Sequence, residues 1–226
     1  MHIRNLPQVL VAVIFDLDGV LLDSEQVWNA AKEELVRERG GRWSDQAPRD
    51  MMGMSSPEWS AYLRDQLGVD MGVDEISADV VRRLEHIYRE RLPLHGGAVE
   101  AVERAAARWP LGLASSSNRE IIELFLDISG LRDRFKATVS SEEVERGKPA
   151  PDVYLETARR MNVDPAQSAA VEDSENGIRS ASAAGMYTVA LPNEVYPPAD
   201  DALAQADAVI TSLDELQRKL EAEAAA

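Results

Sequence analysis

Val9-Leu10-Val11-Ala12-Val13-Ile14-Phe15 runs directly into Asp16-Leu17-Asp18-Gly19. Every position from 9 to 15 is apolar and valine dominates, the pattern of a parallel strand buried on both faces rather than the alternation of a half-exposed one. A central parallel strand needs neighbours joined by helices, and its carboxyl end is where open α/β sheets meet their ligands. Here that end carries two carboxylates and a glycine that lets the chain turn sharply.

Outward from this strand, the pattern changes to helices from about residue 25 to residue 109. Trp28, Ala31 and Leu35 share one face,. Trp59, Tyr62, Leu63 and Leu67 follow the helix start at Ser56 and Pro57, and Ile76, Val80, Leu84 and Ile87 form a third stripe,. Strand-like and helix-like pieces then alternate: 111–115 with 119–126, 137–139 with 151–161, and 168–171 with 176–184. Strand-like 187–191 and 207–210 come before a last helix from Leu213,. Such alternation predicts an open, Rossmann-like parallel sheet with helices on both faces, interrupted after its first strand by a helical insert. Residues 1–28 and 96–226 are assigned to this core domain and 29–95 to the inserted helical domain.

The 226 residues suffice for such a core,. With 24 Lys and Arg against 40 Asp and Glu, the formal net charge is -16, which opposes nucleic acid as a partner,. Any anionic substrate must be held locally by a metal ion, a lysine or helix amides. There is no cysteine, and His2, His86 and His95 are scattered, which excludes disulfides, thiolate chemistry and a plausible zinc cluster,. The apolar run at 9–15 is too short to span a bilayer and lacks a cleavage pattern, so a cytoplasmic protein without membrane attachment is expected.

Asp16 and Asp18 are two residues apart, so in extended chain their side chains share a side, an arrangement that calls for a cation or a shared proton. Taken alone, Asp-Gly is an ordinary turn signal. A calcium loop of the EF-hand kind is excluded, because its glycine belongs at position six and a helix should precede it. Ser115 stands where a strand hands over to a helix and could hold phosphate oxygens there, although capping by Ser117 or Asn118 is the simpler reading of that segment. Lys148 follows Gly147, but Glu142 and Pro149 break the P-loop spacing,. Glu172 and Asp173 end another strand and could complete an oxygen-ligand metal site.

Together, Asp16-Leu17-Asp18-Gly19-Val20 with Asp23-Ser24, then Ser115, then Lys148-Pro149-Ala150-Pro151-Asp152, then Glu172-Asp173-Ser174 with Gly177-Ile178 resemble the four motifs of the haloacid dehalogenase superfamily. The likeness spans nearly the whole chain. The helical insert resembles the small α-helical cap of the branch that contains β-phosphoglucomutases, phosphoglycolate phosphatases and sugar-phosphate phosphatases. The resemblance implies Mg²⁺-dependent hydrolysis of a small phosphorylated metabolite. Asp16 would be the nucleophile that becomes an aspartyl phosphate, and Asp18 the acid and base. Ser115 and Lys148 would hold phosphoryl oxygens. Mg²⁺ would be bound by Asp16, the main-chain carbonyl of Asp18, Asp173 and Glu172. Ser116, Asn118, Gly53, Met54 and Ser55, with Met52, Arg49 or Trp28, would face the substrate.

Phosphoglucomutases of this branch carry a histidine twelve residues after the nucleophile, where this chain has Trp28, and a basic residue after the cap glycine, where it reads Gly53-Met54-Ser55-Ser56. A phosphatase is therefore expected, with a phosphomutase as the alternative. A receiver-like or non-catalytic phosphate-binding protein is the alternative from a different class. Lys32, the only lysine in the insert, is expected on a solvated helix face,. A monomer or weak homodimer is expected.

Overall fold

The computed structural model describes residues 9–52, 54–193 and 195–224. Six strands form one sheet: β1 (Ala12–Phe15), β2 (Leu111–Ser115), β3 (Phe135–Ser140), β4 (Ser168–Glu172), β5 (Tyr187–Ala190) and β6 (Ala208–Val209). All pairings are parallel, in the order β3-β2-β1-β4-β5-β6. Every residue of β1 is buried, as the unbroken apolar run predicts. The order reverses between β1 and β4, so a crevice opens beyond their carboxyl ends. Asp16 leaves β1 on one side of it, and Glu172 and Asp173 end β4 on the other.

Helices α1 (Glu25–Glu38), α2 (Ala47–Asp50), α3 (Ser56–Asp65) and α4 (Val73–Glu90) are inserted between β1 and β2. The boundary expected after residue 28 falls inside α1, which begins at Glu25. Helices α5 (Ala98–Ala106), α6 (Arg119–Ser129), α7 (Asp152–Met161), α8 (Glu175–Ala183), α9 (Asp200–Leu203) and α10 (Leu213–Ala224) belong to the α/β alternation. One large apolar cluster runs from Phe15 and Leu113 under the sheet to Trp28, Trp59 and Leu84 in the insert. No described helix is long and apolar enough to cross a membrane.

Two glycines permit the carboxyl edge to close up. Gly19 has φ +84°, and a Cβ there would stand 2.0 Å from Asp173 Oδ2. A Cβ on Gly177, in the first turn of α8, would stand 1.8 Å from Glu172 Oε2. Any side chain at either position would displace a carboxylate of the crevice.

Candidate active site

Asp16 is only 5% exposed and accepts a hydrogen bond from Lys148 Nζ at 2.5 Å. The same ammonium donates to Glu172 Oε1 at 2.6 Å and to the Ala114 carbonyl at 3.1 Å, so all three of its protons are used,. Burial works against the charge on Lys148, but the Asp16 and Glu172 carboxylates outweigh it and raise its pKa above the ordinary value. Glu172 is held further by Tyr154, whose hydroxyl donates at 2.6 Å, and by the Asp173 amide at 3.2 Å.

Asp16, Glu172 and Asp173 each offer an oxygen, and these lie within 4.8 Å of one another. Burial is the main reason that the carboxyls of Asp16 and Asp173 are pushed well above the usual carboxylate range, with repulsion from Glu172 adding to it. Asp173 Oδ2 is buried without a hydrogen-bond partner. An orphaned oxygen among crowded carboxylates is what a hard divalent cation would satisfy, so the donor set fits Mg²⁺.

Asp18 lies beside this cluster. Its Oδ1 accepts from Ser24 Oγ at 2.5 Å and Trp28 Nε1 at 2.9 Å, and its Oδ2 accepts from Ser117 Oγ at 2.5 Å. These contacts explain why α1 begins without a side-chain cap: the hydroxyl of its N-cap residue, Ser24, is turned to Asp18 instead. Ser117 Oγ is likewise used on Asp18, while its amide donates to Ser115 Oγ at 3.0 Å.

A haloacid dehalogenase-like hydrolase family model matches residues 10–185. The chain belongs to this family. It is 34% identical to hexitol phosphatase B of Escherichia coli over 94% of its own length and 97% of that protein. It is 35% identical to fructose-1-phosphate phosphatase of Escherichia coli over 78% of its length and 94% of the relative. Among solved structures, that of CbbY from Rhodobacter sphaeroides with phosphate superposes with a TM-score of 0.82 at 26% identity, covering 92% of this chain and 96% of the other.

In this hydrolase the inserted helices roof a cavity of about 100 Å³ lined by Asp16, Asp18, Lys148, Asp173 and Ser116 below. Trp28, Lys32, Met52, Met54 and Trp59 close it from above. Met54 and Ser116 thus stand where they were expected. Ser115, expected to hold phosphoryl oxygens, is fully buried and does not line the cavity; its Oγ accepts from the Ser117 amide.

Several other expectations need correction. Asn118 does not line the cavity: its amide bonds Ser56 Oγ at 2.8 Å, Ser77 Oγ at 3.2 Å and Glu142 Oε1 at 2.8 Å, tying the insert to the core. Nor does it cap α6 with its side chain. Ser55 turns its hydroxyl to Glu58 in the capping box of α3, because a serine ahead of a proline-led first turn finds those partners locally,. Arg49 is exposed and away from the cavity, and Gly53 lies outside the described residues. The Asp18 carboxylate is taken by Ser24, Trp28 and Ser117 and stands apart from the acid cluster, which does not touch the metal-ligand expectation for Asp18, since that named its main-chain carbonyl.

Lys32 is the main reversal. It is not solvated but 6% exposed, because it shares the buried stripe of α1 with Trp28, Ala31 and Leu35. Ser117 and Tyr154 were not singled out as site residues: serine near a helix start reads as a cap, and a helical tyrosine reads as core.

Proposed function

We propose that the chain is a Mg²⁺-dependent phosphatase that hydrolyses a small phosphorylated metabolite, a sugar or polyol phosphate, through a phosphoryl group carried on Asp16. The observation that carries this reading is the buried Asp16–Lys148 pair at 2.5 Å, with a second carboxylate, Asp18, facing the same cavity. The Lys148 ammonium opposes the pull of burial on Asp16 and favours its carboxylate form, whose oxygen can attack phosphorus,. As the Asp16 oxygen–phosphorus bond forms, the bond to the leaving oxygen breaks and Asp18 delivers a proton to that oxygen. Asp18 then takes a proton from the water that attacks phosphorus, freeing Asp16 and inorganic phosphate.

Ser24 and Ser117 suit both states of Asp18, because a hydroxyl can donate to a carboxylate or accept from an acid,. Asp16, Asp173, Glu172 and the main-chain carbonyl of Asp18 would hold Mg²⁺, which supplies positive charge to the transferring phosphoryl oxygens,. Ser115, whose Oγ accepts from the Ser117 amide, and Ser116, which lines the cavity, support the phosphoryl site. Helices α1–α4 act as a cap that keeps bulk water out and faces the leaving group. The reading extends to a cytoplasmic protein, monomeric or weakly dimeric.

The test is inorganic phosphate release from a panel of hexitol and sugar phosphates, phosphoglycolate and nucleotides with Mg²⁺, with Asp16→Asn run in parallel. Release that is absent in the variant and stops reversibly on chelation is expected. Turnover retained in pure Asp16→Asn, or unaffected by excess chelator, would overturn the nucleophile or the metal respectively.

A further inference from the structure

The phosphoryl chemistry leaves two charged residues of the pocket unused, Lys32 and Glu25. Lys32 stands on α1 with its Nζ 5.1 Å from the Trp28 ring centroid and 4.9 Å from that of Trp59. The two indoles meet edge to face at 5.9 Å. Trp28 is itself fixed to Asp18 by its ring N–H, so this aromatic wall is tied to the residue that protonates the leaving oxygen. Among the described residues Lys32 makes no ion pair and no hydrogen bond, yet it lines the cavity.

A buried ammonium that rests on ring faces, with the Asp18 and Glu25 carboxylates near but not hydrogen-bonded to it, is a costly way to fill a helix stripe, since an apolar residue there would avoid desolvating a charge,. Its three donors need acceptors, and the open side is the cavity where the leaving group must lie. Glu25, two turns earlier on the same helix, also lines the cavity, and its Oε2 is buried without a partner. The site therefore presents an unsatisfied donor and an unsatisfied acceptor along one helix face. Hydroxyl groups answer both, because each accepts one hydrogen bond and donates another. A second anionic group would be drawn to Lys32 but repelled by Glu25 and Asp18. Indole faces suit the apolar C–H surface of a carbohydrate or polyol.

We propose that Lys32, with Trp28 and Trp59, forms the leaving-group subsite: its ammonium donates to a hydroxyl oxygen of a neutral, hydroxyl-rich leaving group whose C–H face rests on the indoles. This rests on the phosphatase reading above, and it makes Lys32 a specificity-determining residue of the helical insert.

The experiment compares kcat and KM for a hexitol phosphate and for phenyl phosphate, which lacks hydroxyls, in wild type, Lys32→Met and Lys32→Arg, with Mg²⁺ held constant. Loss of a hydrogen bond to a charged donor should lower the ratio of kcat/KM on the hexitol ester to that on the phenyl ester about 10–100-fold in Lys32→Met. Lys32→Arg should recover part of that ratio. If Lys32→Met does not give folded protein by thermal melting, Lys32→Gln replaces it. Equal losses on both esters, no change in the ratio, or a wild type that prefers phosphoglycolate or a sugar bisphosphate would overturn the proposal. Failure of the wild type to release phosphate from any ester, phenyl phosphate included, would refute the phosphatase reading itself and the proposal with it.

Discussion

Replacing Lys32 by methionine should make the protein more stable at neutral pH, and the gain should shrink as pH rises. Burial lowers the pKa of Lys32 from 10.5 to about 8, against the pull of the Asp18 and Glu25 carboxylates. A folded-state pKa below the unfolded one means that folding penalises the ammonium at all pH below about 8, and that the penalty fades between 8 and 10.5,. At about 1.4 kcal/mol per pH unit the penalty is roughly 3 kcal/mol at pH 7 and roughly 1.5 kcal/mol at pH 9.5. Methionine keeps the packing against both indoles but forfeits cation–π attraction, about 1–2 kcal/mol in a desolvated setting. The net expectation is a stabilisation of about 1–2 kcal/mol at pH 7 that fades only as pH passes 10.5, because above the folded pKa the lysine is neutral and has little cation–π attraction to lose,. Urea unfolding of wild type and Lys32→Met at about pH 7 and about pH 11, in the same Mg²⁺ concentration, measures both ends of this window,. A variant less stable than wild type at pH 7, or a difference that does not move with pH, would show that the ammonium is well satisfied in the fold, contrary to the contacts seen.

Three further outcomes follow from the site. Lys148→Ala leaves Asp16 and Glu172 buried without their shared cation and should cost about 3–5 kcal/mol in chelator, measured by urea unfolding, with part of the loss recovered in Mg²⁺,. Asp18→Ala should lower kcat about 10²–10⁴-fold on a hexitol phosphate, and less on an aryl phosphate whose leaving oxygen needs little protonation, as read by phosphate release. Gly19→Ala places a methyl group 2.0 Å from Asp173 Oδ2 in a backbone region that L-residues avoid, so the Mg²⁺ concentration for half-maximal activity should rise about 10–100-fold while Asp16 stays in place,.

The sheet was legible in the sequence because its central strand is apolar without interruption, and a run of that kind ending in Asp16 can only sit between neighbours. The acids were legible because strand ends are sparse in choices: Asp16, Glu172 and Asp173 fall at the carboxyl edge once β1 and β4 are placed. Lys148 was not readable from spacing at all. It reaches Asp16 from a position 132 residues away, and only the resemblance pointed to it. Asn118 and Ser55 were misassigned because short polar residues near helix starts have local and long-range partners in reach, and sequence does not say which will win,. Lys32 could have been found. Its spacing from Trp28 and Leu35 places it on the apolar stripe, and a lysine on such a stripe is an anomaly to be explained rather than a solvated residue,.

The electrostatics of the pocket bear on why the insert carries a lysine at all. The chain has a net charge of -16, and Asp16, Asp18, Glu25 and Asp173 line the cavity against Lys32 and Lys148. Lys148 is already shared between Asp16 and Glu172, so it neutralises the nucleophile more than it attracts phosphate. The phosphoryl end of a substrate must then find its positive charge at the Asp16–Asp173 edge, where the donor set fits Mg²⁺. The far end has no such help, and without Lys32 the leaving group would lie between indoles and the Glu25 carboxylate. Lys32 supplies the donor there while its charge stays partly offset by Asp18 and Glu25. A cation so balanced attracts a second anion poorly but can still orient a hydroxyl, which is the distinction that separates a polyol phosphate from a bisphosphate in this pocket.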